Sequence, residues 1–75
     1  MELVKKVEKL EHDMFDTLVN AYKAIESRDK DAITYYIASL EVMTDDYYDI
    51  TETHYISEET ILDLYERFWR IKNEN

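Results

Sequence analysis

The sequence predicts an all-α fold, an antiparallel three-helix bundle. Apolar residues recur at spacings of three and four in three separate stretches, and the connections between those stretches are short and polar. The chain also contains neither glycine nor proline. Because tight hairpin turns rely on glycine, asparagine or aspartate pairs, which are missing between alternating segments, strands are disfavoured. Seventy-five residues suffice for one domain, which we place over residues 1–75.

The first helix is predicted from about Glu2 to Glu26. Its main stripe consists of seven apolar residues, Leu3, Val7, Leu10, Met14, Leu18, Ala21 and Ile25. Four further residues widen this stripe enough to contact two neighbouring helices: Val4, Phe15, Val19 and Tyr22. The polar run from Glu26 to Asp31 ends the helix, and either Ser27 or Asp29 can cap the next one.

The second helix begins near Lys30. Its core stripe is Ile33, Tyr36, Ile37, Leu40, Met43 and Tyr47. Two versions of its end are open. The helix either continues to about Ile50, or it breaks at Thr44, where Asp45 and Asp46 would lie in the first turn of a short fourth helix and interact favourably with its dipole.

The last helix has the clearest start. Ser57 is the predicted N-cap, Glu58 and Glu59 occupy the first turn, and Ile56 can pack against Ile61 as a hydrophobic staple. The predicted buried stripe is Ile61, Leu64, Tyr65, Phe68 and Ile71, with Leu62 and Trp69 at its edge. Three cations lie in the last turns, where the helix dipole favours them: Arg67, Arg70 and Lys72.

Several function classes are disfavoured by what the chain lacks. Loops that bind nucleotide phosphates need glycines, and thiolate metal sites need cysteines, of which the chain has none. The longest uncharged run, residues 32–40, is far shorter than the ~20 residues of a membrane helix. The N-terminal residues also lack the apolar core of a signal peptide. We therefore expect a cytoplasmic protein without a membrane partner.

Catalytic and metal sites find little support. Glu8, His12 and Asp16 lie at i, i+4 and i+8, but the Glu-x-x-His pairs of di-iron bundles are missing. No serine is marked as a nucleophile. Direct nucleic-acid binding is opposed by a net charge of −9. We therefore expect no enzymatic activity, no catalytic residue, no cofactor, no metal and no direct contact with nucleic acid.

The charge is distributed unevenly. Residues 31–66 contain no lysine or arginine, whereas the remaining residues carry nine bases and eight acids. This region holds ten acids: Asp31, Glu41, Asp45, Asp46, Asp49, Glu52, Glu58, Glu59, Asp63 and Glu66. One part of the chain therefore carries all of its net negative charge.

A row of these acids follows the second helix. Glu41, Asp45, Asp49 and Glu52 would lie in line over roughly 16 Å if the helix continues that far. Lys5, Lys6 and Lys9 could neutralise part of this row from the first helix. Tyr35 and Val42 lie among the acids on the face of this helix opposite its core stripe, which is typical of a protein-binding face. The alternative is that they pack on the first or the third helix. The predicted partner-binding residues are Tyr35, Glu41, Val42, Asp45, Asp46, Tyr48, Asp49 and Glu52.

The second half of the chain resembles the colicin and pyocin nuclease immunity proteins. The resemblance rests on three segments, residues 44–48 (TDDYY), 57–61 (SEETI) and 69–73 (WRIKN). It implies a small acidic helical inhibitor that binds a basic nuclease, with a Tyr-Tyr pair on a short third helix. Tyr47 and Tyr48 would then be anchors, flanked by Asp45 and Asp46.

In size, charge and missing motifs the chain also resembles phage-encoded inhibitors of host nucleic-acid enzymes, including anti-CRISPR proteins. We therefore expect a nucleic-acid mimic that covers the basic substrate surface of a nuclease, CRISPR effector or similar enzyme. The competing hypothesis is a self-assembling helical module, a homodimer with Tyr35, Ala38 and Val42 as its seam.

Overall fold

The protein forms a bundle of three helices, which confirms the predicted all-α fold. The structure is a computed structural model and describes residues 2–74; the two ends of the predicted domain, residues 1 and 75, lie outside the described residues. Helix α1 spans Glu2–Ser27, α2 spans Lys30–Thr51 and α3 spans Glu58–Asn73. The molecule is elongated, with principal extents of 50 × 18 × 13 Å.

The connection between α1 and α2 is a tight helix-ending motif. Arg28 adopts a left-handed conformation with φ of 58°, and its N–H donates to the carbonyl of Ile25 at 3.1 Å. The N–H of Asp29 donates to the carbonyl of Ala24 at 3.1 Å. These two bonds satisfy carbonyls that the helix end leaves free. Asp29, and not Ser27, caps α2 by accepting from the N–H of Ala32 at 3.1 Å.

Helix α2 runs without a break through Thr44, so the version without a fourth helix is confirmed. Thr44 lies inside the helix, and Leu40 and Tyr47 on either side of it both belong to the buried core. The hydroxyl of Tyr47 donates to Glu11 Oε2 of α1 at 2.6 Å. The helix ends at Glu52, which is left-handed with φ of 59°.

The core follows the three predicted stripes over most of their length. Its buried residues are Met14, Ala21, Ala24, Ile33, Ile37, Leu40, Tyr47, Ile56, Leu64 and Ile71. Ser57 caps α3 as predicted, since its hydroxyl accepts from the N–H of Thr60 at 3.3 Å. Ile56 is buried directly before this cap, and Ile61 packs on the same core.

The predicted stripes are wrong at five positions, because Leu3, Val4, Phe15, Val19 and Tyr65 are exposed. The register of the bundle explains the first two. Glu11 of α1 accepts a hydrogen bond from Tyr47, and Tyr47 lies only four residues before the end of α2. The first turn of α1 therefore extends beyond the end of α2. Helix α3 has only 16 residues and therefore covers only part of α1.

A polar cluster joins α1 to α3. The hydroxyl of Tyr22 donates to Asp63 Oδ2 at 3.0 Å, and Arg67 Nε donates to the same oxygen at 2.8 Å. The hydrogen bond from Arg67 lowers the pKa of Asp63, and the bond from Tyr22 adds to this effect. Burial and the bond to Asp63 raise the pKa of Tyr22. The cluster orients α3 by charge-assisted bonds as well as by packing.

Candidate protein-interaction surfaces

All eight residues predicted to bind a partner are exposed. Tyr35 is 67% exposed and Val42 is 61% exposed. In each tyrosine doublet one member faces solvent: Tyr48 is exposed, whereas Tyr47 is only 7% exposed and Tyr36 is half-buried. This division follows from the angle of about 100° between adjacent helical residues.

Among residues 2–74, most of the ten acids have no lysine or arginine partner, and Glu58 lies 3.8 Å from a nitrogen of His54. Asp63 pairs with Arg67, and Glu66 pairs with Arg70. For the other eight, no lysine or arginine nitrogen of residues 2–74 lies within 4.0 Å. The alternative that Lys5, Lys6 and Lys9 neutralise part of the α2 row is therefore not realised as ion pairs within 4.0 Å among residues 2–74. The row stays exposed without lysine or arginine pairing, and its charge is available to an external partner.

Four of the predicted residues line two separate concave surfaces: Tyr35 and Val42 line one, and Glu41 and Asp45 line the other. The first surface, which we name the α1/α2 groove, has a volume of about 670 Å³ and is formed by α1 and α2 alone. Its lining residues are Asp13, Asp16, Thr17, Tyr35, Tyr36, Ala38, Ser39, Val42 and Met43. Asp46 follows Val42 by one helical turn on the same side of α2. Apolar and aromatic groups therefore lie between carboxylates on both walls.

The second surface, which we name the α2/α3 cleft, has a volume of about 360 Å³. Its lining residues are Glu41, Thr44, Asp45, His54, Ile56, Glu58, Ile61 and Leu62. Three carboxylates therefore surround an apolar base made by the start of α3. The two surfaces share no lining residue.

The end of α2 lies beyond both surfaces. Tyr48 stacks on His54 with ring centroids 4.9 Å apart, and Glu52 ends the helix. Asp49 is exposed one turn before that end. The acidic row predicted along α2 therefore divides in two: Glu41 and Asp45 line the α2/α3 cleft, whereas Asp49 and Glu52 lie beyond it.

Two carboxylates of the groove, Asp13 and Asp16, were missed by the sequence reasoning. They lie on α1, outside the acidic region, and only the register between α1 and α2 brings them opposite Tyr35 and Val42. His12 Nδ1 lies 3.3 Å from Asp16 Oδ2, so a protonated His12 would pair with one of them. Asp13 and Asp16 are three residues apart, which places both on one side of α1, and this spacing was the sequence signal that could have identified them.

Metal and membrane sites are not found in the described part of the chain. Over residues 2–74, no three histidine, cysteine or carboxylate side chains converge as metal ligands would. Within the same range, no helix has both the length and the apolar composition required to span a bilayer.

No family model, curated protein or solved structure matches this chain. The resemblance to immunity proteins implies two tyrosine anchors on a short helix. In this structure the pair lies near the end of the long helix α2, and only Tyr48 is accessible. Tyr47 instead packs beside Tyr55, with ring centroids 5.7 Å apart.

Proposed function

We propose that this protein is a non-catalytic inhibitor that covers the basic substrate surface of a nucleic-acid-handling enzyme, such as a nuclease or a CRISPR effector. The observation that carries the proposal is the α1/α2 groove, where exposed Tyr35 and Val42 lie opposite two carboxylates of α1, Asp13 and Asp16. Asp46 lies one helical turn beyond Val42 on the same side of α2. A surface that binds phosphates presents lysine and arginine. Carboxylates are their complement.

Tyr35 is the proposed anchor of the interface. Its ring contacts the ring of Tyr36 edge-to-face, with centroids 5.3 Å apart, and Tyr36 is half-buried in the bundle. This contact restricts Tyr35 before any partner binds. A rigid tyrosine supplies a large contact area at low entropic cost, which is why tyrosines are frequent in binding hot spots. The exposed apolar side chain of Val42 would exclude water from the contact that Tyr35 makes with the partner.

The carboxylates supply steering and orientation. Asp13 and Asp16 lie on one wall of the groove, and Asp46 continues the other. Exposed charges of one sign accelerate the encounter with a basic partner, and screening by salt reduces this effect. The mechanism is competition: the acidic face occupies the site that nucleic acid would otherwise bind.

The competing homodimer hypothesis uses the same residues, with Tyr35, Ala38 and Val42 as its seam. The charge of the groove favours the inhibitor over this seam. Within residues 2–74, the charged side chains that line the groove are Asp13 and Asp16, so two grooves facing each other would bring like charges together. Like-charge juxtaposition at an interface opposes binding.

The experiment is affinity capture from a cell extract with the purified protein at about 50 and 500 mM salt, followed by a competition assay. We expect wild type to retain a basic nucleic-acid enzyme at low salt and to lose it at high salt. The captured enzyme, once purified, should be inhibited less as the concentration of its nucleic-acid substrate rises. Tyr35→Ala should weaken inhibition at least about tenfold, the effect of a modest hot-spot residue.

A matched pair of charge variants separates local charge from total charge. Asp16→Asn/Asp46→Asn and Glu8→Gln/Glu26→Gln each remove two exposed carboxylates, but only the first pair borders the groove. The first should slow association and the second should leave it nearly unchanged. Equal loss in both variants, or capture that resists salt, would contradict the proposal.

A further inference from the structure

Helix α3 carries a second stripe that the bundle does not bury. Glu58, Leu62, Tyr65, Trp69 and Lys72 follow each other at spacings of four, three, four and three, and we name these five residues the α3 seam. All five are exposed, with Leu62 at 65%, Tyr65 at 39% and Trp69 at 66%. The same helix buries Leu64 and Ile71 in the bundle, so the seam is a separate face.

The alternating spacing of the seam is that of a helix packed along another helix. Residues at such positions interdigitate with those of a facing helix. Tyr65, predicted to be in the core, instead lies at the rim beside Ala38 and Glu41 of α2. Leu62, Tyr65 and Trp69 are therefore aligned along an outer surface of α3. Among residues 2–74, no neighbouring helix covers them.

The two ends of the seam carry opposite charges. Glu58 lies in the first turn of α3, and Lys72 lies in the last. We propose that two copies of this chain dimerise through the α3 seam in an antiparallel, two-fold arrangement. Glu58 of each copy then faces Lys72 of the other, Leu62 faces Trp69, and Tyr65 faces its own counterpart at the axis. A parallel arrangement would oppose like charges at both ends.

The α2/α3 cleft supplies a receptor for the second copy's tryptophan. Leu62 belongs to both the seam and the cleft, so the side chain opposite Leu62 meets the apolar base formed with Ile56 and Ile61. Glu41, Asp45 and Glu58 surround that base. The second copy's Lys72, one turn beyond its Trp69, would lie against these carboxylates. Shape and charge thus match within one chain, as a two-fold interface requires.

This proposal is independent of the inhibitor function. The seam and the cleft share no lining residue with the α1/α2 groove. The dimer covers Glu41 and Asp45 but leaves Tyr35, Val42 and Asp46 of each copy accessible. It would therefore present two grooves, and a failure of dimerisation would leave the groove proposal untouched.

The first test is cross-linking through an introduced cysteine, which is specific because the chain has no native cysteine. Tyr65→Cys places a thiol at the proposed two-fold axis, and Tyr35→Cys is the matched control at an exposed tyrosine in the groove. Under mild oxidation we expect rapid disulfide-linked dimers of the Tyr65→Cys variant and slow, concentration-driven dimers of the control. Equal rates for the two variants would overturn the proposal.

The second test is sedimentation equilibrium over a concentration series. Wild type should dimerise, and Trp69→Ala should raise the dimer dissociation constant at least about thirtyfold, the effect of a hot-spot residue. Glu58→Lys and Lys72→Glu should each weaken the dimer about tenfold, because each turns two attractions into repulsions. The double variant Glu58→Lys/Lys72→Glu should recover most of that loss.

Circular dichroism distinguishes loss of the seam from loss of the fold, since Glu58→Lys also places a cation in the first turn of α3. A wild-type monomer at every concentration would overturn the proposal. So would a dimer that tolerates Trp69→Ala, or a double charge variant that dimerises no better than either single variant.

Discussion

The α1/α2 groove and the α2/α3 cleft lie on the same helix and both combine apolar groups with carboxylates, but they differ in the charge that continues beyond them. The groove is lined by two acids on its α1 wall, Asp13 and Asp16, and Asp46 follows one turn beyond Val42 on its α2 wall. The cleft leads along α3 to Trp69 and Lys72, so that surface has an acidic end and a basic end. A surface of one sign needs a foreign partner of the opposite sign, whereas a surface with both signs can complement itself.

This difference also assigns separate roles to the exposed aromatic residues. Tyr35 lies among acids and is suited to a basic protein surface, whereas Trp69 lies near cations and is suited to the acidic cleft of a second copy. Helix α2 contributes lining residues to both surfaces.

The largest expected effect is a loss of folding stability, which would disrupt both surfaces together. Leu40 is fully buried on α2 between them, so Leu40→Ala should lower the free energy of unfolding by about 2–5 kcal/mol. In so small a domain this loss approaches the total stability. Thermal unfolding followed by circular dichroism measures it. Val42→Ala, an exposed aliphatic position on the same helix, is the control and should change stability by less than about 0.5 kcal/mol.

A smaller, opposite effect is expected at the end of α2. Glu52 adopts a left-handed conformation that glycine adopts without steric cost. Glu52→Gly should therefore raise the free energy of unfolding by about 1 kcal/mol, which in a domain of this size raises Tm by roughly 4–8 °C. Glu52→Ala removes the same charge but keeps Cβ, and it should show no such gain. Equal gains in both variants would mean that the charge of Glu52, and not its backbone geometry, lowers the stability of the C-terminal end of α2.

A modest pH effect is expected where α3 joins α1. Because the folded-state pKa of Asp63 is lowered from its ordinary value of 3.8, its contribution to stability is present above that value and is lost as the pH falls through the folded-state pKa. Unfolding measured between pH 2 and 5 should show a smaller acid-induced loss for Asp63→Asn than for wild type. An unchanged acid profile would show that the cluster with Tyr22 and Arg67 contributes little.

For one variant, Tyr35→Ala, we expect no measurable change in the affinity of the dimer. Tyr35→Ala should leave the dimer dissociation constant within about twofold of wild type, because Tyr35 lies in the α1/α2 groove and lines neither the α3 seam nor the α2/α3 cleft. Sedimentation equilibrium on this variant beside Trp69→Ala measures the contrast. A large loss with Tyr35→Ala would merge the two surfaces into one and favour the competing homodimer seam at Tyr35, Ala38 and Val42.

The sequence predicted most of the fold because the apolar spacing and the caps are local signals. Ser57 caps α3 as expected, and the buried stripe through Leu40 and Tyr47 lies where the three-four spacing places it. Periodicity could not show whether Tyr65 belongs to the stripe of α3 that packs on the bundle, with Leu64 and Ile71, or to the exposed α3 seam. It also could not show that the first turn of α1 extends beyond α2, since that depends on helix register.

The candidate site was predictable only in part for the same reason. Exposure of Tyr35 and Val42 follows from their angular distance from the core stripe of α2, which the sequence contains. The opposite wall, Asp13 and Asp16, depends on how α1 and α2 are offset. The left-handed residues Arg28 and Glu52 were also missed, because no glycine marks them.

The central claim, that the α1/α2 groove is the site for a basic surface, can be tested with a defined probe. A ¹⁵N-labelled sample is titrated with a short peptide that alternates arginine and leucine, and amide shifts are followed at low and high salt. The account predicts salt-sensitive shifts concentrated at Asp13, Asp16, Tyr35, Val42 and Asp46. Shifts spread over all acidic residues, or concentrated in the α2/α3 cleft, would contradict it.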